Sequence, residues 1–139
     1  SVARVNGERL RAQAVEAAEQ CERLTVPGVA EPRSLSALLA EWPADRSLLF
    51  ADERGNGLPM AEAAAADRRA MAGVLIGPEG GFSEEEVDRI LALPMARSID
   101  LGPRILRAET AAVAALACWQ ALRGDWRPGE IIREPTCPA

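Results

Sequence analysis

At 139 residues, 48% of them hydrophobic, the chain is sized for one domain that buries roughly 70% of the surface its unfolded form would expose. It contains no histidine, lysine or tyrosine, which excludes Ser-His-Asp catalysis, histidine metal sites, a Schiff-base lysine and the P-loop lysine together. A net charge of −5, with arginine the sole side-chain cation, excludes strong non-specific attraction to nucleic acid by this chain alone.

Residues 1–7 open in no clear element. From Glu8, apolar residues at Leu10, Ala14, Ala17, Cys21 and Leu24 describe one helical stripe, with Glu19 and Arg23 as an i,i+4 pair and Pro27-Gly28 as the stop. Residues 26–32 form an extended connector. Ser34 is placed to cap a short helix that buries Leu35, Leu38, Leu39 and Trp42 and halts at Pro43. Leu48-Leu49-Phe50-Ala51 reads as a buried strand, running into the polar, glycine-rich loop 52–57. Residues 61–69 have helical propensity without a strong apolar stripe.

Val74-Leu75-Ile76 has the make-up of a strand buried on both faces, at the centre of the fold, and it stops abruptly at Gly77-Pro78. Gly80-Gly81 permits positive φ or close approach to a ligand. Ser83 with Glu86 has capping-box spacing, so a helix starts there and carries Val87, Ile90 and Leu91 to Pro94. Residues 98–101 make a third strand, closed by Gly102-Pro103, and a long alanine-rich helix follows from 109 to 122 with Gly124 just beyond it. Its small residues permit close approach to a sheet or another helix. Residues 125–139, rich in proline, read as a tail. Strands alternating with helices indicate an α/β fold with a mainly parallel sheet.

No apolar run approaches the ~20 residues that span a bilayer, and no basic-then-apolar leader opens the chain, so a soluble, cytoplasmic protein is expected. Cys21, Cys118 and Cys137 are odd in number and widely spaced. Reduced thiols are expected, the first two buried and inert, rather than a disulfide framework or a zinc site.

Three strand ends carry unusual loops, and each has a plain reading beside a functional one. At Gly77-Pro78-Glu79-Gly80-Gly81 a phosphate cradle is disfavoured, because Glu79, Glu84, Glu85 and Glu86 crowd the same helix start and would repel a pyrophosphate. A neutral or cationic ligand fits better, and a tight turn serving backbone geometry alone remains open. Arg104 and Arg107 precede the last helix. They hold an anionic group or stabilise developing charge, or else they are solvated or paired with Glu109. Asp52-Glu53 is a ligand loop or a solvated one. Any RNA substrate would need a local arginine cluster, a second domain or a partner subunit.

The run from Ile76 through Gly77-Pro78-Glu79-Gly80-Gly81-Phe82 to Ser83 is joined by Leu101-Gly102-Pro103-Arg104-Ile105-Leu106-Arg107 and by Glu109-Thr110-Ala111. Together they closely resemble the RsmE family, ribosomal RNA small-subunit (uracil-N3)-methyltransferases of the SPOUT class. Glu16-Ala17-Ala18-Glu19-Gln20, Arg23 and Val26-Pro27 are similar to that family's upstream segment, so the resemblance covers residues 1–126. It implies a SPOUT domain over residues 1–124, an α/β fold whose mainly parallel sheet is flanked by helices and ends in a C-terminal trefoil knot, with 125–139 as the tail. It also implies a homodimer and bent S-adenosylmethionine held among three knot loops, with no metal.

Transferred position by position, the cofactor loops are Phe50, Ala51 and Asp52, extending to Glu53; then Ile76, Gly77, Pro78, Glu79, Gly80 and Gly81; and then Leu101, Gly102, Pro103, Ile105 and Leu106. The acidic loops suit this donor, a sulfonium cation. Family members also carry a PUA-like RNA-binding domain and a first βα segment that are not in this sequence, and Ala108 stands where threonine is common. An N-terminally truncated fragment is therefore expected, dimeric, weak in cofactor binding and inactive on ribosomal RNA. In the implied reaction a uridine N3 proton must be removed before methylation, with Glu79 as the base and Arg107 or Arg104 stabilising the charge. Alternatives are another SPOUT enzyme acting on a transfer-RNA ribose or base, an inactive cofactor-binding module, or a dimerisation body.

Overall fold

A computed structural model describes residues 5–126; Ser1, Val2, Cys137 and all of the expected tail beyond Trp126 lie outside the described residues. The chain divides after Leu38 into two units. In the first, Asn6 caps α1 (Gly7–Gln20), its side chain accepting from the Arg9 N–H at 3.0 Å. The helix ends well short of Pro27-Gly28. Glu22 turns left-handed there (φ 54°), and its N–H donates to Glu19 O at 3.1 Å while the Arg23 N–H donates to Ala18 O at 2.9 Å. This is a Schellman closure with glutamate where glycine is usual.

Two sequence expectations fail at this helix. Arg23 lies beyond its end, so the Glu19–Arg23 pair has no helical i,i+4 geometry. Ala18 is the buried helix residue, whereas Leu10, Ala17 and Cys21 are exposed, because apolar spacing marks a helix without saying which side is covered. Cys21 is thus an exposed thiol at the helix cap rather than a buried one, and Cys118 is half-buried.

Ser34 starts α2 (Leu35–Ala40) as its spacing predicts, its hydroxyl accepting from the Ala37 N–H at 3.2 Å. In the second unit follow β1 (Arg46–Ala51), β2 (Leu58–Pro59), α3 (Met60–Ala66), β3 (Met71–Leu75), α4 (Glu84–Leu91), β4 (Ala96–Asp100) and α5 (Ala108–Leu122). The strands form one sheet in the order β2-β4-β1-β3, with every pairing parallel.

The strand buried through and through is β1, with Ser47 to Phe50 all closed to solvent. The Val74 strand, expected at the centre, sits at the sheet's edge with partly covered residues. An apolar run alone cannot separate a central strand from a covered edge. Ile76 lies just past its end. Gly73, inside β3, has the Trp42 ring where a side chain would go, and Trp42 Nε1 donates to Arg46 O at 2.9 Å. The short strand β2 was not expected from its glycine-rich surroundings. Gly57 allows it, since a side chain there would collide with the β4 backbone at Ile99.

Leu49 and Ile99 pack with Met60, Ala63 and Ala64 of α3 and Ala115 of α5, so alanines let both helices lie close to the sheet. Alternation turns Leu48 and Phe50 to the other face. There Phe50 meets Phe82 edge-on, ring centroids 5.1 Å apart, just ahead of α4. Val87 and Ile90 are buried on α4, whereas Leu91 faces outward at 46% exposure.

Candidate functional site

Parallel pairing sets Phe50 of β1 level with Leu75 of β3 and with Ser98 of β4. Three carboxyl ends therefore finish at one edge of the sheet, where α/β proteins place ligands. The chain that leaves them surrounds a cavity of about 460 Å³. Residues 76–81 and 101–107 supply two walls, and residues 50–55 the third, with Phe50 and Phe82 as an aromatic base.

Each loop is held by bonds its sequence encodes. After β1, the Asp52 N–H donates to Ile99 O at 3.2 Å, tying the loop to β4. The Asp52 carboxylate, almost wholly buried, is gripped by Arg54: Nε donates to Oδ1 and Nη2 to Oδ2, both at 2.8 Å, and the Arg54 N–H donates to Oδ1 at 3.1 Å. After β3, the Gly81 N–H closes a turn onto Pro78 O at 2.9 Å. Gly81 adopts φ 69°, and the Glu53 carboxylate occupies the space a side chain would need there. The capping box read from the sequence follows. Glu86 N–H donates to Ser83 Oγ at 3.2 Å, and Ser83 N–H donates to Glu86 Oε2 at 2.9 Å. After β4, Asp100 Oδ1 accepts the Gly102 N–H at 2.9 Å, and Gly102 takes φ 104°. Arg107 is the N-cap residue of α5, with no side-chain cap bond.

Arg54 holds the Asp52 carboxyl below its ordinary range. Its side-chain hydrogen bonds come first and outweigh desolvation, and its backbone N–H and its charge add to them. The Ser98 hydroxyl, which has no hydrogen-bond partner of normal length among the described residues, adds only a small pull. Asp52 is thus neutralised. Glu53, Glu79, Arg104 and Arg107 line the cavity without an ion pair among the described residues. The pairing of Arg104 or Arg107 with Glu109, left open as an alternative by the sequence, is not among the ion pairs of the described residues.

All the residues assigned to the cofactor and catalytic site from the sequence line this cavity except Gly80, which is exposed with open space about it. The cavity also takes in Arg54, Phe82, Asp100, Ala108 and Ala111, to which the sequence assigned no site role. Phe82 lay inside a quoted motif, and Arg54 stands two residues from Asp52. Ala111 likewise belongs to the Glu109-Thr110-Ala111 motif and Ala108 precedes it, whereas Asp100 carries no local signal, because the turn of the strand that presents it is a tertiary matter. Chemically the site offers an apolar aromatic base, free carboxylates from the first two loops and free guanidinium groups from the third.

A model of the RNA methyltransferase domain matches residues 2–120. Ribosomal RNA small subunit methyltransferase E of Rickettsia conorii is 34% identical over 116 residues, covering 81% of this chain and 46% of that protein. The chain spans about half the length of the curated relatives that it matches along most of its length. A crystal structure of a probable rRNA-methyltransferase from Porphyromonas gingivalis aligns with a TM-score of 0.78 at 28% identity, over 91% of this chain and 53% of that one. Ribosomal RNA small subunit methyltransferase E from Neisseria gonorrhoeae, solved bound to S-adenosyl methionine, aligns with a TM-score of 0.72 at 30% identity, over 91% and 54%.

Two outcomes follow from the loop geometry. Gly81→Ala forces a side chain into left-handed backbone against Glu53, and should lower unfolding stability by about 1–2 kcal/mol. Gly80→Ala, in open space, should change it by less than about 0.5 kcal/mol in the same denaturant titration. Equal losses would contradict the geometry. Because Asp52 is held below its ordinary value of 3.8, its pairing stabilises the fold above that pH and is lost as pH falls through the lowered value. Asp52→Asn should therefore cost about 1–2 kcal/mol at neutral pH, a figure reduced for the half-exposed Arg54. The gap to the parent should close in acid; a gap that stays constant from pH 7 to pH 2.5 would show that no pairing of the charged carboxylate is involved.

Proposed function

The chain belongs to the RNA methyltransferase domain family, and on that premise we propose that it is the donor-binding and catalytic part of an S-adenosylmethionine-dependent enzyme that methylates N3 of a uridine in small-subunit ribosomal RNA. Its four-stranded parallel sheet flanked by helices is the SPOUT-type arrangement that the motifs led one to expect. The observation that carries the reading is the convergence of three strand-end loops on one cavity of about 460 Å³ with free acids on two of them. That volume is within the range of small-molecule sites. The knot, the homodimer and the cytoplasmic location implied by the motifs belong to the same proposal. Among the described residues no helix is long and apolar enough to cross a membrane.

The residues fit the donor. Backbone groups of 76–81 and 101–106 would hold the nucleoside, beside Phe50 and Leu106, with the carboxylates toward the positive sulfur. When bound, S-adenosylmethionine supplies an electrophilic methyl group. The chain's own part is to bind the base, move a proton and balance charge. Glu79, exposed at the cavity mouth, accepts the N3 proton that otherwise keeps the nitrogen a poor nucleophile. Arg107 or Arg104, unpaired on the third loop, donates to the carbonyl oxygen on which charge accumulates. Alignment of N3 with the methyl group supplies much of the remaining acceleration. The overall charge of −5 leaves most RNA attraction to regions beyond this chain, in keeping with relatives about twice its length.

The test measures donor binding by calorimetry, then single-turnover transfer of labelled methyl to small-subunit RNA, using this sequence joined to the segment its relatives carry. Saturable binding is expected, along with a loss of roughly 100-fold or more in transfer for Glu79→Gln. Absence of binding would remove the function, and unchanged transfer would remove Glu79 as the base.

A further inference from the structure

The carboxylates around the cavity are not equivalent. Asp52 is spent on Arg54, and Asp100 is engaged by the Gly102 N–H. Glu79 is exposed on the second loop. Glu53 is exposed as well but differs in place: its carboxylate lies over Gly81, on the neighbouring loop, and it makes no ion pair among the described residues. The left-handed Gly81 backbone, without a side chain, is what leaves room for it. A free negative charge thus lies at the junction of two loops that line the cavity, with no cation set against it among the described residues.

We propose that Glu53 is a specificity-determining residue that makes the cavity select adenosyl ligands carrying a positive charge at sulfur over otherwise similar neutral ones. This rests on the donor-binding reading above. The substrate S-adenosylmethionine and the product S-adenosylhomocysteine differ by one methyl group and one positive charge. A carboxylate at this place therefore favours the ligand before transfer and loosens its hold on the ligand after it. The charge at Glu53 needs no proton transfer for this role, which separates it from Glu79.

The experiment is a comparison of dissociation constants for the two ligands, in the parent and in Glu53→Gln, at low and high salt. Glutamine keeps the shape against Gly81 and removes the charge. The parent should prefer S-adenosylmethionine, and the substitution should shrink that preference on the order of fivefold, the factor for unit charges about 4 Å apart in water. The change should fall on the cationic ligand while affinity for S-adenosylhomocysteine holds steady. Raising salt from about 0.05 M to about 0.5 M should narrow the parent's preference and leave the variant's unaltered. If both ligands bind and the preference is the same in parent and variant, Glu53 has no such role while the donor site stands. If neither ligand binds the parent, both the role and the site are wrong.

Discussion

Parallel pairing on both sides of β1 is the constraint from which the site descends. Parallel strands cannot be joined by a tight turn, so the chain reaches β3 from β1 through α3 and β4 from β3 through α4. The consequence is geometric: every strand ends at the same edge, and Phe50 stands level with Leu75 and Ser98. Burial of β1 from Ser47 to Phe50 fixes its register, because a slip of one residue would exchange Leu49 for Phe50 on the face under α3 and α5. Once the register is set, the three following loops can only gather around one space.

The loops then divide the chemical work by residue type. With histidine, lysine and tyrosine missing, the proposed proton transfer and charge stabilisation would fall to carboxylates and guanidinium groups. The structure keeps these apart in role. The Asp52–Arg54 pair is structural, buried on the acid side and bonded through both carboxylate oxygens. Glu53, Glu79, Arg104 and Arg107 remain unpaired around the cavity. Such a site costs the fold little, since its free charges stay in contact with solvent while one neutralised pair holds the loop.

Much of this was legible where a residue's chemistry acts over short range. The Ser83–Glu86 capping box, the Ser34 cap and the Gly102-Pro103 strand stop all depend on neighbours within a few positions, and each sits where the spacing puts it. The loops were legible too, because glycine and proline mark sharp turns whatever surrounds them. What escaped depends on the rest of the chain. Glu22 closes α1 in a conformation that glycine would have announced, and β2 exists only because Gly57 lets the chain approach β4. The edge position of β3, the outward Leu91 and the exposed Cys21 share one cause. Apolar character shows that a residue can be buried, and only packing partners decide that it is.

The central claim is that the loops after β1, β3 and β4 act as one ligand-binding body. Hydrogen–deuterium exchange in the presence and absence of S-adenosylmethionine tests this most directly. The account predicts that amides in residues 52–55, 77–81 and 102–107 slow together, over the same ligand concentrations, while α1 is unaffected. Protection confined to one loop, or appearing in the three at different concentrations, would contradict it.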